Sequence, residues 1–138
     1  MCRAVFDRGA LIESALAEYA PHFMLTRADT LGEAVIARFQ AREKVRGKYR
    51  GPLDRRSYLT IACMVQLEPE KATRMLRVEA GGADETRLRE QILEAGQVCT
   101  GSAKRVSIDP FQFRGYVADT LYHWTLAAKN VETLIAAN

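Results

Sequence analysis

The sequence has few of the residues that mark disulfide-rich, metal-binding or membrane-spanning proteins. Its 138 residues include two histidines and three widely spaced cysteines, Cys2, Cys63 and Cys99. An odd number of scattered cysteines is typical of free thiols in a reducing compartment, so we expect no disulfide framework and a cytoplasmic location. These residues show no metal-ligand spacing. No apolar run approaches the ~20 residues of a membrane helix, and we expect neither a membrane partner nor a secretion signal.

Motifs for cofactor binding and nucleophilic catalysis are also missing. The glycine-containing stretches at 81–84 and 100–104 lack the preceding strand and the spacing of a phosphate-binding loop. The two histidines, His22 and His123, are poorly placed for a serine or cysteine triad. We therefore expect no bound cofactor.

The residues that are present favour a soluble helical protein. Hydrophobic residues make up 48% of the chain and charged residues 27%, a balance typical of a globular domain. Apolar side chains recur at three- and four-residue spacing in six segments, and no alternating strand pattern of useful length appears. We predict an all-α, single-domain bundle of about six helices, covering residues 1–138 and centred on the block from Gly51 to Gly101.

Caps and breakers place the predicted helix ends. The predicted caps include a Thr30–Glu33 capping box and four aspartates at helix starts, and Pro69 fits a first helical turn. Gly81-Gly82 is expected to end the fourth helix, and residues 100–109 to form a polar connection. The predicted helices are 8–19, 30–46, 54–67, 69–80, 84–99 and 110 almost to 138, with Asp7, Asp54, Asp84 and Asp109 as the aspartate caps.

The last helix carries the longest apolar stripe. Its members run from Phe113 to Ile135 within a predicted helix from 110 almost to 138, which would be ~40 Å long at 1.5 Å per residue. Such a stripe could be longer than the core of one small domain can cover. We therefore expect a homo-oligomer formed through the C-terminal helix, with a helix bent midway as the alternative.

The central block carries a family resemblance. It opens Gly51-Pro-Leu-Asp-Arg-Arg, continues with an apolar helix from Tyr58 and a helix ending Glu79-Ala-Gly-Gly-Ala-Asp, and then starts a third helix at Glu85. This order resembles the alkyl hydroperoxidase D-like and carboxymuconolactone decarboxylase superfamily. The resemblance implies an all-helical subunit that assembles as a trimer, hexamer or similar ring.

The family's redox residues are not matched. A count back from Gly82 places Leu67, Glu70 and Arg74 where redox members have a Cys-x-x-Cys pair and a histidine. Cys63 and Cys99 are expected to lie two helices apart, whereas dithiol chemistry needs two neighbouring sulfurs. The resemblance therefore implies a non-redox member.

Two groups of residues are candidates for catalysis. Glu70 and Arg74 could line a small pocket near Tyr58, with the carboxylate as a general base and the guanidinium binding an acidic substrate. The alternative is a first-turn acid in a surface ion pair. His123 and Asp119 could form an oriented acid–base pair, or a solvated pair that borders an interface.

Residues 38–56 hold the strongest local charge bias. This segment has eight Lys or Arg and two acids, a net charge of +6, whereas the rest of the chain has 12 basic and 15 acidic residues. It could bind nucleic acid or an acidic protein, with an anionic small molecule or a solvated helix face as alternatives. The candidate binding residues are Arg42, Lys44, Arg46, Lys48, Arg50, Arg55 and Arg56.

Overall fold

A computed structural model describes residues 2–101 and 108–135 of the chain. Over these residues the fold is all-α, as predicted, with one short helix more than the six expected. The α-helices are α1 (Cys2–Tyr19), α2 (Arg27–Thr30), α3 (Glu33–Arg46), α4 (Pro52–Leu67), α5 (Pro69–Met75), α6 (Ala83–Ala95) and α7 (Pro110–Lys129). Two 3₁₀ turns, Gly47–Tyr49 and Gln97–Thr100, follow α3 and α6.

Helix α7 lies at the centre of this arrangement and packs against α1, α2, α3, α4 and α5. Every side chain from Tyr116 to Leu121 is buried, so neighbours surround this stretch on all sides. Further along, the Trp124 ring stacks on Phe39 of α3 at 3.9 Å between centroids. The Trp124 Nε1 donates to the carbonyl oxygen of Ala62 in α4 at 3.0 Å. The C-terminal helix is thus the core helix of one chain.

The predicted extent of this last helix is wrong. Helix α7 ends at Lys129, because Asn130 adopts the left-handed conformation (φ 54°) and the Val131 amide bonds back to the carbonyl oxygen of Leu126. Its 20 residues span ~30 Å, and the predicted stripe members Val131 and Ile135 lie beyond it. Since the monomer already covers the helix, the stripe no longer argues for an oligomer.

The predicted start of the second helix is displaced. The capping box forms at Thr26 and Asp29, at the start of α2, and α3 begins after Gly32 with no side-chain cap. Thr30, the predicted cap, is buried and its hydroxyl donates to the carbonyl oxygen of Gln66 at 2.6 Å. Both Thr-x-x-acid sequences fit the local pattern, and a tertiary hydrogen bond decides between them.

Of the other predicted helix ends, some are confirmed and some are wrong. Pro69 occupies the first turn of α5, and Asp109 caps α7 by accepting from the amide of Phe111 at 2.8 Å, both as predicted. Glycines, not the predicted aspartates, precede α4 and α6. Helix α1 starts before its predicted cap, Asp7, and α5 ends at Met75, short of residue 80. Residues 102–107 of the predicted polar connection lie outside the described residues.

Some aliphatic side chains at helical apolar spacing are exposed rather than buried. Examples that the neighbouring helices do not cover are Leu11, Leu31, Val45 and Leu59. Periodicity identifies the helices correctly, but it does not determine how wide a face the neighbours cover.

Two glycines permit close helix contacts. A Cβ on Gly9 of α1 would lie 2.5 Å from the Gly115 Cα, so α1 crosses α7 backbone to backbone. A Cβ on Gly96 would lie 2.4 Å from the Met64 Cγ, which places the end of α6 against α4. Gly96 is accordingly buried, whereas the neighbouring Ala95 is exposed.

A disulfide joins Cys63 of α4 to Cys99 in the second 3₁₀ turn, 36 residues apart in the sequence. The prediction of free thiols is wrong for this pair, because close contact at Gly96 brings the two cysteines together. For the same reason, the expectation that Cys63 and Cys99 lie two helices apart is wrong. Because two of the three cysteines are paired, the cysteines no longer support a cytoplasmic location. None of the described helices is long and apolar enough to cross a bilayer.

We expect reduction of this disulfide to destabilise the fold. Closing a 36-residue loop restricts the unfolded chain and stabilises the folded state by about 4 kcal/mol in the chain-entropy treatment. Urea unfolding with and without a phosphine reductant measures the difference, and Cys99→Ser should reproduce the loss and abolish the response to reductant. The matched control, Cys2→Ser, should keep that response. Three alkylatable thiols in the unreduced protein would contradict the assignment.

Candidate functional site

The structure does not bring Tyr58 together with Glu70 and Arg74. Tyr58 is buried in the middle of α4, where its hydroxyl donates to Glu43 Oε2 at 2.6 Å. Glu70 lies in the first turn of α5 and accepts from the backbone amide of Arg27 at 3.1 Å. Arg74 is exposed. Among the described residues, no hydrogen bond or ion pair joins Tyr58 to either of the others, so a common acid–base role for the three has no geometric support.

His123 and Asp119 do form the oriented pair that their spacing predicts. The His123 Nδ1 lies 3.1 Å from Asp119 Oδ1 and 2.9 Å from the Asp119 carbonyl oxygen. The pair is not solvated, because the Asp119 side chain is only 1% exposed. The histidine ring meets the rings of Tyr58 and Tyr122 edge-on.

Asp119 is the centre of a larger set of paired charges, which we call the polar cluster. Arg50 donates to both Asp119 oxygens, at 2.9 and 3.2 Å, from the corner between α3 and α4. Its guanidinium also lies 3.8 Å from the centroid of the Tyr58 ring. The members of the polar cluster are Arg8, Arg50, Asp54, Tyr116, Asp119 and His123.

The cluster extends to α1 through Arg8. This guanidinium donates to both oxygens of Asp54, at 2.8 and 3.0 Å, and its Nε lies 3.3 Å from Asp119 Oδ2. The Tyr116 hydroxyl of α7 donates to Oδ1 of Asp54 at 2.6 Å. The predicted cap of α4, Asp54, is thus used in tertiary contacts, and the cluster ties α1, α4 and the corner to the central helix.

Opposing effects set the ionisation of these groups. Burial by itself raises the pKa of Asp119, but hydrogen bonds and attraction from His123 and Arg50 hold it below the ordinary aspartate value. The pKa of Asp54 is lowered for the same kind of reason, with Arg8 and Tyr116 as its partners. Burial and the neighbouring Asp54 carboxylate raise the pKa of Tyr116 to about 12. Both carboxylates are therefore charged and the phenol is neutral near pH 7.

The cluster can fix helix positions, but it offers no free charge to a ligand. Each carboxylate is bound by guanidinium groups, and each of these two arginines binds a carboxylate. Groups paired in this way in a buried site stabilise an arrangement mainly because an unpaired member would be strongly unfavourable. We therefore interpret the polar cluster as structural.

The basic segment 38–56 is divided between internal and external roles. Arg38 of α3 donates to the carbonyl oxygen of Ala127 in the last turn of α7 at 2.8 Å, and Arg42 donates to that of Val131, just beyond the helix, at 2.9 Å. Cations near a helix C-terminus interact favourably with the helix dipole. Arg46 binds Glu43, and Arg50 belongs to the polar cluster. Arg42, Arg46 and Arg50, which belong to the predicted set of binding residues, are thus engaged by groups of the protein itself.

The remaining cations of the segment face solvent. Lys44 and Lys48 lie on the outer side of α3 and the 3₁₀ turn, and Arg55 and Arg56 on the first turns of α4. Among the described residues, no ion pair joins any of these four to an acid. They are the part of the predicted binding set that the structure leaves available.

A cavity of about 240 Å³ lies between α1, α5 and α7, on a different side of α7 from the polar cluster. Its walls are largely aliphatic and aromatic. The hydroxyls of Thr73 and Thr125, which also line it, donate to carbonyl oxygens of their own helices at 2.8 and 2.7 Å. The apolar lining residues are Leu16, Ala17, Ala20, Pro21, Phe23, Leu25, Leu76 and Leu121.

Two charged residues lie on the cavity wall. Glu13 binds Arg114, which is also held by Glu85 at 2.6 Å, so its charge is already paired. Arg77 is exposed and donates to the carbonyl oxygen of Phe23 at 2.7 Å. Sequence reasoning missed this cavity. A sequence signal near it is the apolar stretch from Phe23 to Leu25, which connects α1 to α2.

We expect the buried phenol of Tyr116 to make stability depend on alkaline pH. Its pKa of about 12 lies above the ordinary value of 10.0, so folding favours the neutral form. The resulting stabilisation is complete below pH 10 and is lost as the pH rises towards 12. Urea unfolding at pH 8, 10 and 11 should therefore show a steeper decline for the wild type than for Tyr116→Phe. Equal declines would contradict the assignment.

Comparison with known proteins adds no further evidence about this site. No protein-family model, curated protein or solved structure matches the chain. Within the described residues, no three His, Cys, Asp or Glu side chains are grouped to hold a metal ion. The resemblance to the alkyl hydroperoxidase D-like group stays a prediction, and function is inferred from the geometry alone.

Proposed function

We propose that the protein binds a small apolar molecule in the cavity between α1, α5 and α7. The observation that carries this proposal is the apolar lining of a cavity of about 240 Å³. At the ~30 Å³ that one water occupies in the liquid, this is the volume of about eight waters. The ligand is therefore of the size of one aromatic ring or a short aliphatic chain.

The state of the polar wall groups supports an apolar ligand. Both threonine hydroxyls are satisfied by backbone carbonyl oxygens, and Glu13 is paired with Arg114. A polar ligand would lose its water without gaining hydrogen bonds inside, which is unfavourable. Arg77 at the edge is the one charged wall group that faces solvent among those described, and it favours a ligand with an anionic end.

Binding rather than catalysis is the function that the geometry supports. The candidate acid–base pair His123 and Asp119 belongs to the polar cluster, whereas Leu121 and Thr125 line the cavity. Residues two apart on a helix differ by about 200° in direction, so the pair lies across α7 from the ligand. Glu70 and Arg74 do not line the cavity either.

Self-association and family membership are proposals that rest on the sequence. Support for both comes from the resemblance of the central block to the alkyl hydroperoxidase D-like group, whose members assemble as rings. The cytoplasmic location expected from free cysteines is not proposed further, because the disulfide between Cys63 and Cys99 favours a more oxidising setting. The particle mass in solution tests the assembly.

We expect filling of the cavity to abolish ligand binding. Ala17 lines the cavity from α1, so Ala17→Phe places a ring at its opening. Toluene and hexanoate serve as probes, and binding is followed through the methyl NMR signals of Leu16 and Leu121. The wild type should bind at least one probe, and Ala17→Phe should weaken that binding by at least tenfold.

The matched control is Ala10→Phe, an exposed position two turns earlier on the same helix that does not line the cavity. It should keep the wild-type affinity. The proposal would be contradicted by a wild type that binds neither probe at millimolar concentration. Equal loss of binding in the two variants would also contradict it, because the effect would then not come from the cavity.

A further inference from the structure

The corner between α3 and α4 carries exposed apolar side chains next to its free cations. Val45 is 60% exposed, Tyr49 80% and Leu53 76%. Exposure of single apolar side chains is ordinary, but three in nine residues form a group. We call this surface the basic corner, and it comprises Lys44, Val45, Lys48, Tyr49, Leu53, Arg55 and Arg56.

Contacts behind the basic corner hold it in place. Arg50, at its centre in sequence, is anchored on Asp119 at 2.9 Å. The Arg55 side chain lies against the buried Gly47, where a Cβ would be 2.9 Å from the Arg55 Nε. The start of α4 therefore packs on the 3₁₀ turn, and the exposed Tyr49 and Leu53 belong to these two adjoining elements.

The two acids of this segment face away from the outer surface. Glu43 is buried and bound by Tyr58 and Arg46. Asp54 is bound by Arg8 and Tyr116. The outward charge of the basic corner is therefore +4 from its exposed cations, with no compensating acid among its own residues. Its charge complements an anionic partner.

We propose that the basic corner docks the protein on the surface of an anionic lipid bilayer. Aliphatic and aromatic side chains enter the headgroup boundary while neighbouring Lys and Arg stay with the phosphates. Each cation near such a surface increases affinity by about fivefold. No helix is inserted, so the inference differs from the expectation of no membrane partner, which considered spanning segments only.

The apolar members favour a bilayer over nucleic acid. A phosphate backbone attracts cations, and bases stack on aromatic rings. Tyr49 would serve either partner, but Val45 and Leu53 are aliphatic and gain nothing from stacking. In a lipid headgroup layer, by contrast, their burial removes apolar surface from water.

Vesicle flotation of the full chain tests the proposal. The probes are vesicles of pure phosphatidylcholine and vesicles with 30 mol% phosphatidylglycerol, at low and at moderate salt. We expect binding to the anionic vesicles only, and weaker binding at moderate salt because screening reduces the attraction. Equal binding to both kinds of vesicle, or no binding to either, would overturn the proposal.

Two double variants separate the contributions of charge and apolar contact. Lys48→Glu with Arg56→Glu should weaken vesicle binding by at least 25-fold, because two cations are lost. Tyr49→Ser with Leu53→Ser should weaken it by about tenfold at unchanged net charge. All four side chains are exposed, so circular dichroism should show wild-type helicity for both variants.

The control for net charge is Arg74→Glu with Arg87→Glu, two exposed residues of α5 and α6 outside the basic corner. It should retain most of the vesicle binding, and an equal loss would overturn the proposal. A single-stranded oligonucleotide is the competing probe. Oligonucleotide binding that survives Tyr49→Ser with Leu53→Ser, without vesicle binding, would assign the corner to nucleic acid. Ala17→Phe should leave vesicle binding unchanged, which separates this inference from the cavity.

Discussion

Burial of the Asp119 charge in the middle of α7 is the constraint on which the rest of the structure depends. A carboxylate that is 1% exposed must be paired, because an isolated buried charge is strongly unfavourable. Arg50 and Arg8 supply the pairing, and His123 completes it. These partners come from three places in the chain, so their pairing fixes how α1 and the α3–α4 corner lie on α7.

This constraint explains the division of surfaces around α7. The side that carries Asp119 and His123 is closed by the polar cluster. The side that carries Leu121 and Thr125 faces α1 and α5, where the two helices leave an apolar cavity. Arg50 points inward to Asp119, whereas Tyr49 and Leu53 on the same corner are exposed. One set of ion pairs thus leaves a ligand cavity on one side and supports an exposed basic corner on the other.

The sequence predicted what depends on short-range contacts. Helix periodicity, the cap at Asp109 and the proline at the start of α5 involve neighbours within a few residues, and all were confirmed. The i, i+4 spacing also predicted the pairing of His123 with Asp119. Some of the failures involve distant partners. The Thr30 hydroxyl does not cap a helix, because it donates to the carbonyl oxygen of Gln66. Cys63 forms a disulfide with Cys99, 36 residues away in the sequence. The internal roles of Arg38, Arg42 and Arg50 could not be predicted, because their partners Ala127, Val131 and Asp119 lie far away in the sequence.

The central claim is that the Arg50–Asp119 pair governs packing around α7, and a double-mutant cycle measures it most directly. Urea unfolding of Arg50→Met, Asp119→Leu and the double variant gives the coupling free energy. Each single variant should lose about 3 kcal/mol, since it removes one partner of a buried, doubly hydrogen-bonded ion pair and leaves the other with weaker contacts only. The double variant should be more stable than the sum of the two losses implies, by at least 1 kcal/mol. Strictly additive losses would contradict the account.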